Sequence, residues 1–273
     1  MSELSATERT RHRRLREKGR TDRAALYEVL GAGFVCHLGV ISDGVPMVVP
    51  TVYGFDTEHL YVHGSVASRS LTGRVPARRS TEAETGTGSE AGSGSGSGSG
   101  SESTGASAEA DGSGTATDTA DTTGTAGTGL GTVCVTVTHV DGLILARSVF
   151  EHGVNYRSAM VYGVPRALEG EEKLAALRIL TERAAPGQWE YARQPSRKEL
   201  AATTILAIPL AEASVKVSAG PPDDGDGPDA ELGIWAGRLP LATTWLDPVP
   251  DPLLPAGIAP PDHIVTRTGT RAT

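Results

Sequence analysis

Apolar positions along the chain change period several times, and each change marks an element. Behind Asp22, Leu26, Val29 and Leu30 recur at helical spacing, which predicts a short helix from Asp22 through Leu30, capped by Asp22 and ended by Gly31 and Gly33. From Phe34 the period becomes two. Phe34–Ile41 and Met47–Phe55 read as strands, joined across Ser42-Asp43-Gly44, because Asp-Gly supplies the positive φ angles of a tight hairpin. Pro50 inside the second strand predicts an edge, a bulge or a kink facing a ligand. His59–His63 is a third strand ending at Gly64-Ser65, so the first part of the chain is a β-meander. Further on, Val133–Val140 and Leu143–Ser148 flank Asp141-Gly142 and predict a second Asp-Gly hairpin. Ala159–Val164, Thr203–Pro209 and Ser214–Ser218 are further strands, and Glu171–Ala184 has helical spacing until Pro186-Gly187 stops it. The proline-rich end beyond Pro240 reads as irregular apart from the neighbourhood of Trp245. Six or more short strands with tight turns and two or three helices predict a mainly β, small antiparallel barrel.

One stretch carries no pattern at all. From Thr81 to Gly129 the chain lacks every large apolar, aromatic and basic residue and every proline, and Gly and Ser alternate from Gly92 to Ser101. Such a segment cannot bury enough apolar surface to offset its ordering entropy and is expected to be a flexible insertion. It holds eight of the 33 acids; the remaining 25 balance the 25 Lys+Arg, so the net charge of −8 belongs to the insertion and the rest is neutral. Because β-meander lies on both sides, the expected organisation is one barrel domain (residues 1–74 and 130–247) interrupted by residues 75–129 and followed by a proline-rich tail, 248–273. Loop-closure entropy grows slowly enough with length to tolerate the insertion.

The composition excludes several classes. No apolar run is long enough to span a membrane, and the N-terminus lacks the apolar stretch of a secretory signal, so a cytoplasmic protein is expected. Cys36 and Cys134 sit inside apolar runs and read as reduced core residues; without Cys-x-x-Cys or His-x-x-x-His, no metal site is expected. A neutral barrel argues against a nucleic-acid partner held by bulk charge. The basic run Arg9, Arg11, His12, Arg13, Arg14, Arg16, Lys18 and Arg20 reads as a solvated arm; the sharper alternative is a phosphate or nucleic-acid contact.

Two clusters could carry chemistry. In the first, Tyr61 through Arg69, a strand ends at a glycine and is followed by hydroxyls and a guanidinium: His63, Gly64, Ser65, Ser68 and Arg69. A phosphate needs such a set of freed backbone N–H groups, hydroxyl donors and a bidentate arginine; an ordinary polar loop is the alternative. In the second, Asn155, Tyr156, Arg157 and Ser158 again combine amide, guanidinium and hydroxyl donors beside an aromatic ring; the alternative is a capped loop.

The run Gly54 to Arg69, the later Asn155-Tyr156-Arg157-Ser158, the stretch Ser214 to Gly220 and the late Ile234-Trp235-Ala236-Gly237 with Leu239-Pro240-Leu241 resemble the pyridoxamine 5'-phosphate oxidase-related flavoproteins, on the nitroimidazole-resistance-like branch. The resemblance implies an FMN-binding split barrel, usually a homodimer with flavin at the subunit interface. It places Ser68 and Arg69 on the flavin phosphate, with Ser70 standing where the family often has lysine. His63, Gly64 and Ser65 would lie by the ribityl chain or ring edge, and Arg157 and Ser158 would add phosphate donors. The backbone of Met47 to Thr51, with Val48, Val49 and Pro50 between, would run along the isoalloxazine. Trp235 would pack in the core, stack on the ring or pack a dimer interface.

The expected function is therefore an FMN-dependent oxidoreductase passing hydride or electrons through flavin N5 to or from a small organic substrate, since the flavin carries the redox chemistry and the protein supplies position and electrostatics. The alternatives are a protein that binds flavin or resists nitro compounds without turnover, or a split barrel holding a deazaflavin or haem. No catalytic side chain stands out; His63 is the candidate donor on the substrate side, with a satisfied structural histidine as the alternative.

Overall fold

A computed structural model describes residues 3–4, 7–13, 16–68, 71 and 129–272, all within one compact unit. The insertion expected at 75–129 lies outside the described residues, except for Gly129. The architecture is a mostly antiparallel split β-barrel with a few helices. The strands are β1 (Gly19–Arg20), β2 (Val35–Ser42), β3 (Val45–Phe55), β4 (His59–Ser65), β5 (Val133–Leu145), β6 (Gly153–Gly163), β7 (Arg166–Ala167), β8 (Thr203–Pro209), β9 (Glu212–Ser218) and β10 (Gly237–Pro240). They follow the order β1-β9-β6-β5-β2-β3-β4-β8-β7, with β10 beside β5. The helices are α1 (Arg23–Gly31), α2 (Gly170–Ala184), α3 (Gln188–Tyr191), α4 (Arg197–Ala202) and α5 (Asp262–Val265).

Local chemistry explains the elements that the pattern predicts. Asp22 accepts from the Ala25 N–H at 2.8 Å and caps α1. The β2–β3 turn has Asp43 at φ 55° and Gly44 at φ 75°, the pair of positive angles a two-residue hairpin needs. Leu26, Val29 and Leu30 of α1 enter a core with Leu38, Tyr53, Leu60, Val62, Val135, Val161, Ile208 and Val215. A second, smaller core packs Ala176 and Leu180 of α2 on Tyr61, Ile205 and Ala207. Gly54 permits that approach, because a Cβ there would lie 3.0 Å from the Leu180 amide nitrogen.

Three expectations are corrected. Asp141-Gly142 is not a hairpin turn: β5 runs straight through it, with a bulge between Val140 and Gly142. Both edges of β5 are occupied there, by β6 on one side and by β10 on the other, where Leu143 to Leu145 pair with Leu239 to Gly237. Gly142 (φ 153°) serves close approach, since a Cβ would sit 2.6 Å from the Leu239 carbonyl oxygen. The basic arm is docked as well as solvated: His12 Nε2 donates to the Val215 carbonyl at 3.0 Å, Arg9 forms a two-point ion pair with Glu212, and Gly19 and Arg20 pair with β9. Trp235 is 68% exposed, so core packing is not its role; it folds over Gly237 at the start of β10.

The end of the chain is anchored. Trp245 stacks on Phe34 with centroids 5.7 Å apart and receives the Arg267 guanidinium at 4.1 Å on its ring. Arg267 also donates to the Ala184 carbonyl at the end of α2. Thr244 and Arg271 form a β-bridge.

Candidate functional site

The sheet splits at β3. Its last residues pair with β4 (Tyr53 with Val62, Gly54 with Tyr61, Phe55 with Leu60), whereas Val45 to Val52 pair only with β2 among the described residues. Beyond Val62, His63, Gly64 and Ser65 leave β3 and pair with Ile205, Thr204 and Thr203 of β8. The two strands therefore open as a fork. The Tyr53 N–H donates to the Phe34 carbonyl at 3.0 Å, so alternate residues counted back from Tyr53 turn their backbone groups to β2. Val48, Pro50 and Val52 consequently direct theirs to the open edge. Pro50 fits there because it has no N–H to leave unpaired.

Side chains follow the same alternation. Val49 and Thr51 share their face with Leu38 and Cys36, the core side, while Val48 and Pro50 share the outer face with Gly39 and His37. His63 lies on that outer side too, in step with Tyr61 and Gly54. This face is open and apolar: Val48 is 66%, Ile41 60% and Val35 45% exposed. At its rim His63 is half-buried, its Nδ1 is buried without a hydrogen-bond partner, and burial holds its pKa below the usual histidine value. The imidazole is thus neutral near pH 7 and keeps a lone pair.

After the fork the chain turns tightly. Val66 N–H donates to the Ala202 carbonyl, Ala67 N–H to Ser65 Oγ at 3.2 Å, and Ser68 N–H to the Ser65 carbonyl at 2.9 Å. Gly64 leaves room for Leu71, which is buried in the main core. The amides expected to be free for a phosphate are therefore bonded within the turn and to α4. Arg69 lies outside the described residues.

The second cluster is elsewhere. Asn155, Tyr156, Arg157 and Ser158 stand on β6, with β5 and β2 between them and β3. Their side chains alternate between faces. Asn155 Nδ2 donates to the Gly220 carbonyl at 3.0 Å, while Tyr156 carries the Lys216 ammonium 5.9 Å from its ring centroid. Arg157 donates Nε and Nη2 to the two carboxylate oxygens of Asp141, each at 2.9 Å, and this raises its pKa above the usual arginine value. The pair lines a polar cavity of about 220 Å³ with His139, Thr243 and Arg271. Thus the structure brings Val48, Val49, Pro50, Thr51, His63, Gly64, Ser65 and Ser68 to one fork, and leaves the β6 cluster apart. It also adds His37, opposite Pro50, which only the strand register could reveal.

A split barrel with an open edge and an apolar outer face is the setting in which the sequence comparisons become decisive. The pattern of the family described as pyridoxamine 5'-phosphate oxidase matches residues 22–85 and 114–217, more than half of the chain. The chain belongs to that family. It is a flavin-binding split-barrel family, and the fork lies within the matched residues. No curated protein matches the chain. Among solved structures, the flavocytochrome Anf3 from Azotobacter vinelandii is 28% identical with a TM-score of 0.70, covering 96% of this chain and 98% of its own. An FAD- and haem-binding protein from Mycobacterium smegmatis is also 28% identical, with a TM-score of 0.69, covering 93% of this chain and 98% of its own. No helix among the described residues is long and apolar enough to cross a membrane.

Proposed function

We propose that the protein is a flavin-dependent oxidoreductase that also holds a haem and acts on a small organic substrate as a homodimer. The observation that carries this reading is the fork: an open strand edge and an exposed apolar face, next to a neutral histidine whose buried Nδ1 has no partner. A flat aromatic ring with a polar rim suits such a wall, because the faces take apolar contact and the rim takes backbone donors and acceptors. Val48 N–H and the Val48 and Pro50 carbonyls would serve the flavin rim, Val48 and Ile41 would exclude water, and the neutral His63, whose Nδ1 is buried, would offer Nε2 to a haem iron. A bound flavin supplies the two-electron centre and a haem the one-electron step. The sequence resemblance favours FMN; the description of the M. smegmatis neighbour favours FAD. A dimer formed across the outer face would cover Val35, Ile41 and Val48, which a lone barrel leaves in water.

The test is the absorption spectrum of the purified protein, followed by chromatography of the released flavin. Flavin bands together with a Soret band are expected, and His63→Ala should lose the Soret band while keeping the flavin. A colourless protein that takes up neither FMN, FAD nor haem would overturn the proposal.

A further inference from the structure

The docked N-terminal arm does more than cover a strand edge. Between it and β9 lies a cleft of about 440 Å³, whose lining includes Leu4, Thr10, Arg16, Arg20, Ala213 and Ser214. The residues that dock the arm are all spent on doing so. Thr7 and Arg9 bond Glu212, His12 bonds the Val215 carbonyl, and Gly19 is required because its missing side chain is where the His12 ring lies. Arg11 pairs with Glu8 at 3.1 Å. Arg16 and Arg20 are different. Among the described residues neither meets a carboxylate; Arg20 donates only to the carbonyls of Glu17 and Gly19, at 3.0 Å each. Two exposed arginines with no carboxylate partner among the described residues thus line one concave surface whose floor is apolar and buried, with Leu4 8% and Ala213 1% exposed. Capping an edge strand asks for none of this.

We propose that this cleft binds the phosphate groups of an organic phosphate, a nucleotide diphosphate in chemical class. Guanidiniums pair with phosphate oxygens through two parallel N–H donors, the strongest geometry available to them. Ser214 and Thr10 belong to the same wall, the Thr10 hydroxyl being held by Thr7, so the two arginines carry the phosphate and the apolar floor accepts the organic part, which a bare inorganic ion would not use. The volume is in the range of small-molecule sites. The arm is fastened to β9 through Arg9 on Glu212, His12 on the Val215 carbonyl and Gly19 beside Lys216. No residue of the fork takes part, so a free nucleotide can bind here whether or not flavin is held at the fork. The diphosphate has two possible sources, a free nucleotide or the adenosine diphosphate part of FAD, and one experiment separates them.

Full-length protein is titrated by calorimetry at near-physiological salt with ADP, inorganic pyrophosphate and adenosine, and separately with FMN and FAD after removal of bound cofactor. The variants are R16Q/R20Q, R16K/R20K and R13Q, the last removing an exposed arginine that pairs with Glu8 and does not line the cleft. ADP is expected to bind more tightly than pyrophosphate, and adenosine not at all. R16Q/R20Q is expected to weaken ADP at least tenfold with an unchanged melting temperature, R16K/R20K to lie between, and R13Q to stay within twofold. If FAD weakens with ADP while FMN does not, the diphosphate belongs to the flavin; if ADP alone weakens, it belongs to a free nucleotide. Affinities for ADP and FAD that are both unmoved in R16Q/R20Q, or wild-type protein that binds neither ADP nor FAD, would overturn the site.

Discussion

The Arg157–Asp141 pair separates two roles that one arginine could play. As a phosphate donor it would govern flavin affinity; as built, it ties the β5 bulge to β6. The pair is bidentate, with both contacts at 2.9 Å, and its side chains are 29% and 38% exposed. Exposure of that order screens the attraction, so its worth is about 1 kcal/mol rather than the several of a buried pair. A double-mutant cycle with Arg157→Met and Asp141→Asn isolates the interaction, since both variants keep their bulk. Urea unfolding should return a coupling of about 1 kcal/mol that shrinks in high salt. Each single variant should lower the melting temperature by about 2–4 °C. Flavin affinity, followed by fluorescence quenching, should stay within about twofold, because the guanidinium is already committed. A tenfold rise in the flavin dissociation constant for Arg157→Met, about 1.4 kcal/mol, with no coupling to Asp141 would refute the reasoning.

Two further outcomes follow from packing and from titration. Gly54→Val should cost about 1–3 kcal/mol, because its Cβ would meet Ile179 and the Leu180 amide at 3.0 Å and helix backbone cannot yield as a side-chain end can; an unchanged urea midpoint would contradict this. Stability should fall as pH drops below about 6.5: burial lowers the pKa of both His63 and His139, so the unfolded chain takes up protons that the folded one resists, and the stabilisation present above that pH is lost on acidification. Unfolding midpoints across pH 5–8 check it, and His139→Gln should flatten the slope; stability that held or rose on acidification would count against the assignment.

Elements governed by neighbours in sequence are legible in the chain itself. The α1 cap at Asp22, the Asp43-Gly44 turn and Thr203–Pro209 need only local spacing and φ preferences. Asp141-Gly142 carries the same dipeptide as the first hairpin, yet lies inside a strand, because β10 arrives from nearly a hundred residues downstream to occupy the edge that a turn would have left free. Arg157 reads as a phosphate donor in isolation; its carboxylate partner is set by the pairing of β5 with β6, not by any motif. Trp235 reads as core by its size, but the strand that follows it holds it at the surface.

The barrel class and the confinement of excess negative charge to the Gly/Ser/Thr insertion were determined by the amino-acid order alone, since periodicity, turn chemistry and composition are local properties of the chain; the family was legible only through the resemblance of its short motifs, taken in order. Only tertiary structure decided which candidate residues share a place. The fork exists because β3 changes partners midway and β4 turns to β8, and the basic arm becomes one wall of a cleft because His12 and Gly19 reach β9. Both are long-range pairings, whose register depends on the whole sheet and whose partners lie far apart in sequence.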